Sequence, residues 1–265
     1  MHFALINDQM VAAKQGLKGS CRGCGQPVIA KCGTVRVHHW AHQRSEMCDS
    51  WWEAEKEWHR SWKNNFPHLW QEFFMLDIHT DEKHIADVRT DQGLVIEFQH
   101  SPIKPEERIA REKFYNDMVW VIDGTRLIHD YPRFLKGQNQ IIASSQSGIF
   151  NVYDPEKCFP SAWLNSSVPV LFDFLGNESI TNPLDFRSPL YCLFPIRVGR
   201  RGTLARIPRR AFVKTTINGE WSLRVKRIMS ELLKARKEWQ DQKEGSERSW
   251  QLHELQMSQL NKGRG

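Results

Sequence analysis

No run of 18 consecutive apolar residues occurs in the chain, so no helix of membrane-spanning length is expected and no membrane partner. The first residues, Met1-His2-Phe3-Ala4-Leu5-Ile6-Asn7, lack a basic stretch leading into an apolar core, which argues against a secretory signal. Internal repeats and low-complexity tracts are absent too, and with them the solenoid architectures. Cysteine is sparse. Four of the six cysteines crowd between residues 21 and 48, a pattern that fits metal binding in a reducing cytosol better than a disulfide framework. A cytoplasmic location is therefore expected. Acids are nearly missing from one stretch: between Arg197 and Lys237, thirteen Lys and Arg face only Glu220 and Glu231, about +11 in a chain whose net charge is +6. The remainder is about −5, and this asymmetry points to a polyanion-binding face, because a clustered basic surface gains from releasing phosphate counterions.

What is present is the composition of a globular protein of one large or two modest domains: 265 residues, 40% hydrophobic and 26% charged. Residues 1–48 are rich in Cys, His and Gly. Residues 50–66 read as a helix, with Trp51, Glu55, Trp58, Trp62 and Phe66 recurring at helical spacing, Asp49 or Ser50 as its cap and Pro67 as its stop. Strand-like runs follow at Gln71–His79, His84–Arg89 and Leu94–Gln99, the last two joined by a turn that ends in Gly93. Pro105 opens a second helix running to about Asn116, and Met118–Ile122 is a buried-type strand. Further strands are predicted at Ile149–Tyr153, Val168–Phe174, Leu190–Val198 and Arg210–Thr216. A long charged helix is predicted from Trp221 to Lys262, fraying near Gly245.

Two constellations carry chemistry. Cys21-Arg22-Gly23-Cys24, with His39-Trp40-Ala41-His42 downstream, has the ligand types of a tetrahedral zinc site, and Gly23 and Gly25 permit the tight turn that aims amides at thiolates. Cys21, Cys24, His39 and His42 are the proposed ligands, with Cys32, His38 and Cys48 as nearby substitutes. Four protein ligands leave no open position, so this Zn²⁺ would be structural.

The second constellation is a pair of carboxylates. Asp87 lies in His84-Ile85-Ala86-Asp87-Val88, and Glu97 and Gln99 share one face of the next strand while Ile96 and Phe98 take the other. Asp87 beside Glu97 makes a hard oxygen site suited to Mg²⁺ or Mn²⁺. An Asp and a Glu on a hairpin are more often surface residues. What weighs against that here is Glu55: it sits among tryptophans, where a carboxylate is costly without a partner, and His59 and Lys63 follow at four-residue steps. A salt-bridge ladder is the plainer reading of that line, and Glu57 is the second choice of acid.

The order of a helix acid, an Asp and a Glu-x-Gln resembles the PD-(D/E)XK nuclease superfamily, in a variant with Gln where Lys is usual. More closely, the chain resembles the competence protein CoiA-like family. The residues concerned are the Cys21–His42 knuckle, Glu55-x-x-x-His59, His84-Ile85-Ala86-Asp87-Val88, Ile96-Glu97-Phe98-Gln99-His100-Ser101 and Arg111-x-x-x-Tyr115 ahead of Trp120-Val121-Ile122-Asp123. The resemblance covers residues 1–124. It implies an α+β fold with a restriction-endonuclease-like αβββαβ core and an N-terminal zinc knuckle; the residue pattern beyond it adds a C-terminal β-rich extension ending in a long helix. The divisions expected are 1–49, 50–130, 131–220 and 221–265. It also implies that Asp87 and Glu97 bind the catalytic metal, with the Phe98 carbonyl as a further ligand. Glu55 would reach the metal or its waters, and Gln99 would stand where a lysine orients water. An amide supplies no positive charge, a deficit His59 or Lys63 would have to cover.

The function expected is a Mg²⁺-dependent deoxyribonuclease acting in DNA uptake, DNA processing or defence. The alternative is a nucleic-acid-binding accessory protein with little catalysis, and a third reading makes the C-terminal helix a surface for a second copy or another protein. DNA contacts are expected from Lys63, Arg111, Arg200, Arg201, Arg209 and Arg210, although Arg111 and Tyr115 could equally pack.

Overall fold

The computed structural model describes residues 1–43, 49, 51, 55–77, 82–182 and 184–262, with the side chains of 252 and 254–262 left aside. Short strands alternating with polar turns build a first, antiparallel sheet: β1 (Phe3–Ile6), β2 (Gln9–Ala12), β3 (Lys18–Ser20), β4 (Pro27–Lys31) and β5 (His39–His42), in the order β2-β1-β3-β4-β5. Its core is small, with Ala4, Ala13, Cys21, Val28 and Trp40 buried. The cysteine-rich N-terminal region is thus a sheet, and the Cys-x-x-Cys turn is one of its connections.

The second sheet has nine strands. After α1 (Glu57–Lys63) come β6 (Gln71–Leu76), β7 (Lys83–Arg89), β8 (Val95–Gln99), α2 (Pro105–Tyr115) and β9 (Met118–Asp123). The helix, three strands, helix, strand order read from the sequence is found, with a much shorter first helix and strand ends that differ by one to three residues. Next come α3 (Asp130–Lys136), β10 (Ile141–Ala143), β11 (Ile149–Val152), α4 (Pro155–Cys158), β12 (Val170–Asp173), β13 (Pro189–Leu193), β14 (Gly202–Pro208), α5 (Arg209–Ile217) and α6 (Glu220–Lys262). The strand order is β10-β11-β14-β13-β12-β9-β8-β7-β6. The pairs β8·β9 and β9·β12 are parallel and the others antiparallel. The direct pairing of β9 with β12 means that the boundary expected at residue 130 falls inside one continuous sheet.

Alternation on the central strands sends side chains to two cores. Trp120 and Ile122 of β9, with Phe172 of β12, pack under Tyr115 and Phe134 from α2 and α3. Val119 and Val121, with Leu171, Ile96 and Phe98, pack under Trp58 and Trp62 of α1, Phe212 of α5 and Trp221 of α6. Central strands buried on both faces read as continuous apolar runs, as β9 does.

Three expectations need correction. Arg210–Thr216 is helix, not strand: Val213, Thr215, Thr216 and Ile217 favour β structure locally. Burial of Phe212, Thr215 and Thr216 on one helical stripe outweighs that preference. The first helix starts at Glu57, so Glu55 precedes it, and Asp49 does not cap it. Instead Asp49 is buried against β7, accepting from Ile85 N at 2.8 Å and contacting His84 Nδ1 at 2.9 Å. Ser50 and His79 lie outside the described residues. The long helix runs unbroken through Gly245; Val225, Ile228, Met229 and Leu232 pack on its own domain.

The anchor of α1 is a buried carboxylate. Asp173, fully buried at the end of β12, accepts the indole N–H of Trp58 and of Trp62, each at 2.9 Å, together with the amides of Leu175 and Gly176. It also pairs with Arg209, whose guanidinium lies 4.9 Å from the centre of the Trp62 ring. Removing one partner of a buried ion pair typically costs about 3–5 kcal/mol. Asp173→Ala is therefore expected to lower the Tm by roughly 10 °C, checked by calorimetry against Asp173→Asn; an unchanged Tm for Asp173→Ala would refute the anchoring role.

Candidate metal centres

The hairpin β7–β8 turns at Gly93, whose φ of +91° is one that glycine adopts without strain. Its strands pair through Arg89↔Val95 and Val88↔Ile96. Beyond that point side chains replace the ladder acceptors: Glu97 Oε1 accepts from Asp87 N at 3.0 Å, and Asp87 Oδ2 accepts from Phe98 N at 2.9 Å. The two carboxylates cross-bridge the strands where they part and open a cavity of about 60 Å³. Glu55, His59, Asp87, Glu97 and Gln99 all line it, with Lys63 and Arg111. His59 Nε2 lies 2.7 Å from Asp87 Oδ1. Gln99 is buried and donates from Nε2 to Ser101 O at 2.9 Å.

The partner that Glu55 required is there. Lys63 Nζ lies 2.8 Å from its Oε1, and Arg60 pairs with its other oxygen. Lys63 also reaches Glu72 at 3.1 Å. Glu72 was not foreseen. It is buried with φ +50° and receives the backbone N–H groups of His2 and Phe3, which ties the first sheet to the cavity. Asp49 and Trp51, also unforeseen, complete the wall. Glu72 and Asp49 belong to no periodic pattern, and Trp51, read above as part of a helical stripe, lies outside α1; long-range packing brings all three in.

The electrostatics of the pair are lopsided. Burial, and next the charge of Asp87, push the Glu97 carboxyl up to about 8, although Arg111 Nη1 at 3.0 Å works the other way. Burial would raise Asp87 as well, but His59 and Lys63 outweigh it and hold that carboxyl below its ordinary value. The chemistry of the donor set suits a hard divalent cation, since five carboxylates line the cavity against two permanent cations, Lys63 and Arg111. Each carboxylate oxygen can accept more than one partner, so the present hydrogen bonds do not use up the ligand capacity.

A raised carboxyl pKa stabilises the fold below its unfolded value of roughly 4.3, and that stability is lost as pH rises through the folded value of about 8. In EDTA, the wild-type Tm is expected to fall between pH 5 and pH 8.5 relative to Glu97→Gln, by several degrees at about 2–4 °C per kcal/mol. Parallel melting profiles for the two proteins would contradict this.

In the first sheet, Cys21, Cys24 and His42 present ligand atoms within 4.8 Å of one another, and Cys24 Sγ lies 3.2 Å from His42 Nε2. Gly25 at φ +71° donates to Cys21 O at 2.9 Å and closes the turn, and the Gly23 amide, 3.4 Å from Cys21 Sγ, is the one aimed at sulfur. The group could hold a metal ion and is consistent with structural zinc. His39 is the correction. It is three residues from His42 on β5, and an odd separation puts two side chains on opposite faces of a strand. Its Nδ1 lies 2.8 Å from Val37 O instead. Among the described residues the cluster has three members, without Cys32 or His38; Cys48 lies outside those residues.

Residues 6–50 match the family model described as Competence protein CoiA, N-terminal domain. Through this segment the chain is similar to the N-terminal domain of competence protein CoiA. No curated protein and no solved structure matches the chain. The CoiA segment contains Cys21, Cys24 and His42 and ends before Glu55, so the carboxylate cavity stands on its own geometry.

The predicted cations divide into two groups. Lys63 and Arg111 are buried beside cavity carboxylates, and Arg209 is committed to Asp173. Arg200 is exposed and pairs with Asp154 at 3.0 Å. Arg210 is exposed, and Arg201 is half-buried beside the start of β14. Among the described residues, no helix is long and apolar enough to cross a membrane.

Proposed function

We propose that the chain is a metal-dependent deoxyribonuclease whose Mg²⁺ or Mn²⁺ is held by Asp87 and Glu97. The observation that carries this reading is the pair of carboxylates bridging β7 and β8 where the strands part, inside one cavity with Glu55, His59 and Gln99. When bound there, a divalent ion would polarise a phosphodiester and lower the pKa of the attacking water. Asp87 and Glu97, with the Phe98 carbonyl as a further ligand, would hold it. His59 keeps the outer oxygen of Asp87 in place. Gln99, anchored by Ser101 O, would orient water without adding charge, and Lys63 and Arg111 supply the positive potential that an amide lacks.

The helix, three strands, helix, strand order from α1 to β9 supports a restriction-endonuclease-like core within the mixed α+β fold. The match of residues 6–50 to the CoiA N-terminal domain supports a competence-related role, in DNA uptake or processing. We assign Zn²⁺ to Cys21, Cys24 and His42, in a module ending near residue 49, and give it a structural role because it staples a sheet whose own core is small. The substrate would be DNA and the location the cytoplasm, and the outer half of α6 would be the surface for any second copy or protein partner. A binding-only accessory role has one observation in its favour, the ion pair that Glu97 makes with Arg111. Incubating the protein with labelled single- and double-stranded DNA in Mg²⁺, Mn²⁺ or EDTA decides between them. Cleavage that EDTA abolishes is expected; binding without cleavage in any metal would replace the nuclease with the accessory protein.

A further inference from the structure

A second concavity lies across α1 from the carboxylate cavity, an open groove of about 610 Å³ between α1 and α5. One wall is a single helical stripe of α5, Arg210, Val213, Lys214 and Ile217, at positions i, i+3, i+4 and i+7. The other wall carries Ser61 on α1 and Asn65 just beyond its end. Among the described residues, no carboxylate lines the groove. Arg209 beside it is neutralised by Asp173, which leaves Arg210 and Lys214, both exposed, as its charges. Pro208 at the start of α5 makes no side-chain cap, and the first-turn N–H groups add positive potential at the Arg210 end. Two cations one turn apart, interleaved with the methyl groups of Val213 and Ile217, match alternating phosphates and deoxyriboses.

From this we infer that the groove binds the phosphodiester backbone of DNA a few nucleotides from the bond cut in the Asp87–Glu97 cavity, an inference that rests on the nuclease reading. The stretch of α1 that presents His59 and Lys63 to the cavity presents Ser61 to the groove. A helix with its side chains is roughly 10–12 Å across, about three steps of a strand at roughly 3.4 Å each.

The test is fluorescence anisotropy of a labelled duplex with the full chain in EDTA, over a salt series, for wild type, Arg210→Glu/Lys214→Glu and the milder Arg210→Gln/Lys214→Gln. The charge-reversed protein is expected to bind at least about tenfold more weakly, with a log–log salt slope shallower by about 2, as for two lost phosphate contacts. The glutamine variant should move the same way by less. Hydrolysis of thymidine p-nitrophenyl phosphate, which reaches only the cavity, should stay at the wild-type rate in both. Wild-type DNA affinity and slope in the charge-reversed protein would overturn the groove and leave the nuclease reading standing. A wild-type protein that binds through the groove but cuts neither substrate in any metal would remove the nuclease and keep the groove.

Discussion

Asp87→Asn and Glu97→Gln are each expected to reduce metal-dependent DNA cleavage by a factor on the order of a thousand or more, with DNA binding little changed. Lewis-acid stabilisation of a phosphoryl transition state is worth several kcal/mol, and every ~1.4 kcal/mol is tenfold in rate. Both substitutions keep the shape of the side chain, and the lost charge is the variable. The two should differ in stability: Asp87→Asn weakens the contact with His59, whereas Glu97→Gln relieves a buried like-charge neighbour. Cleavage that survives both would show that the chemistry, if any, happens elsewhere.

The second large effect is at the zinc cluster. Cys21→Ser, Cys24→Ser and His42→Ala are each expected to remove stoichiometric zinc and to expose the first sheet to proteolysis. That sheet has a core of four small or medium side chains and one indole, Trp40, too little to be secure without a staple. Structural zinc contributes roughly 10–16 kcal/mol of binding energy in small zinc peptides at neutral pH. His39→Ala should keep the metal, because its side chain stands on the other face of β5. Metal analysis of the four variants reads this directly: zinc lost with His39 and kept with His42 would reverse the assignment. Through Glu72, which accepts the amides of His2 and Phe3 and pairs with Lys63, loss of the first sheet should also loosen the cavity.

How far the sequence reached follows from the range of the interactions involved. The carboxylate hairpin was legible because it is local: a Gly-terminated turn and strand alternation put Glu97 and Gln99 on one face near Asp87. Glu55 was legible as a carboxylate in costly surroundings, though its helix begins two residues later and Arg60 shares its charge with Lys63. The parallel pairing of β9 with β12 joins segments nearly fifty residues apart, and no local pattern announces it. The recruitment of Asp49 and Glu72 to the cavity depends on the same kind of non-local packing. α5 misled because its β-branched residues speak for a strand while Phe212, packed against Trp62 and Trp221, decides for a helix. His39 misled for a simpler reason. A spacing that suits a helix or a loop fails on a strand, and the knuckle is made of strands.

The central claim, a divalent ion between Asp87 and Glu97, is tested most directly by anomalous diffraction from crystals soaked in Mn²⁺. The expected result is one peak in the cavity within about 2.0–2.3 Å of a carboxylate oxygen from each residue, absent from Asp87→Asn crystals. A protein that cuts DNA in Mn²⁺ while its crystals show no peak at that pair would contradict the assignment.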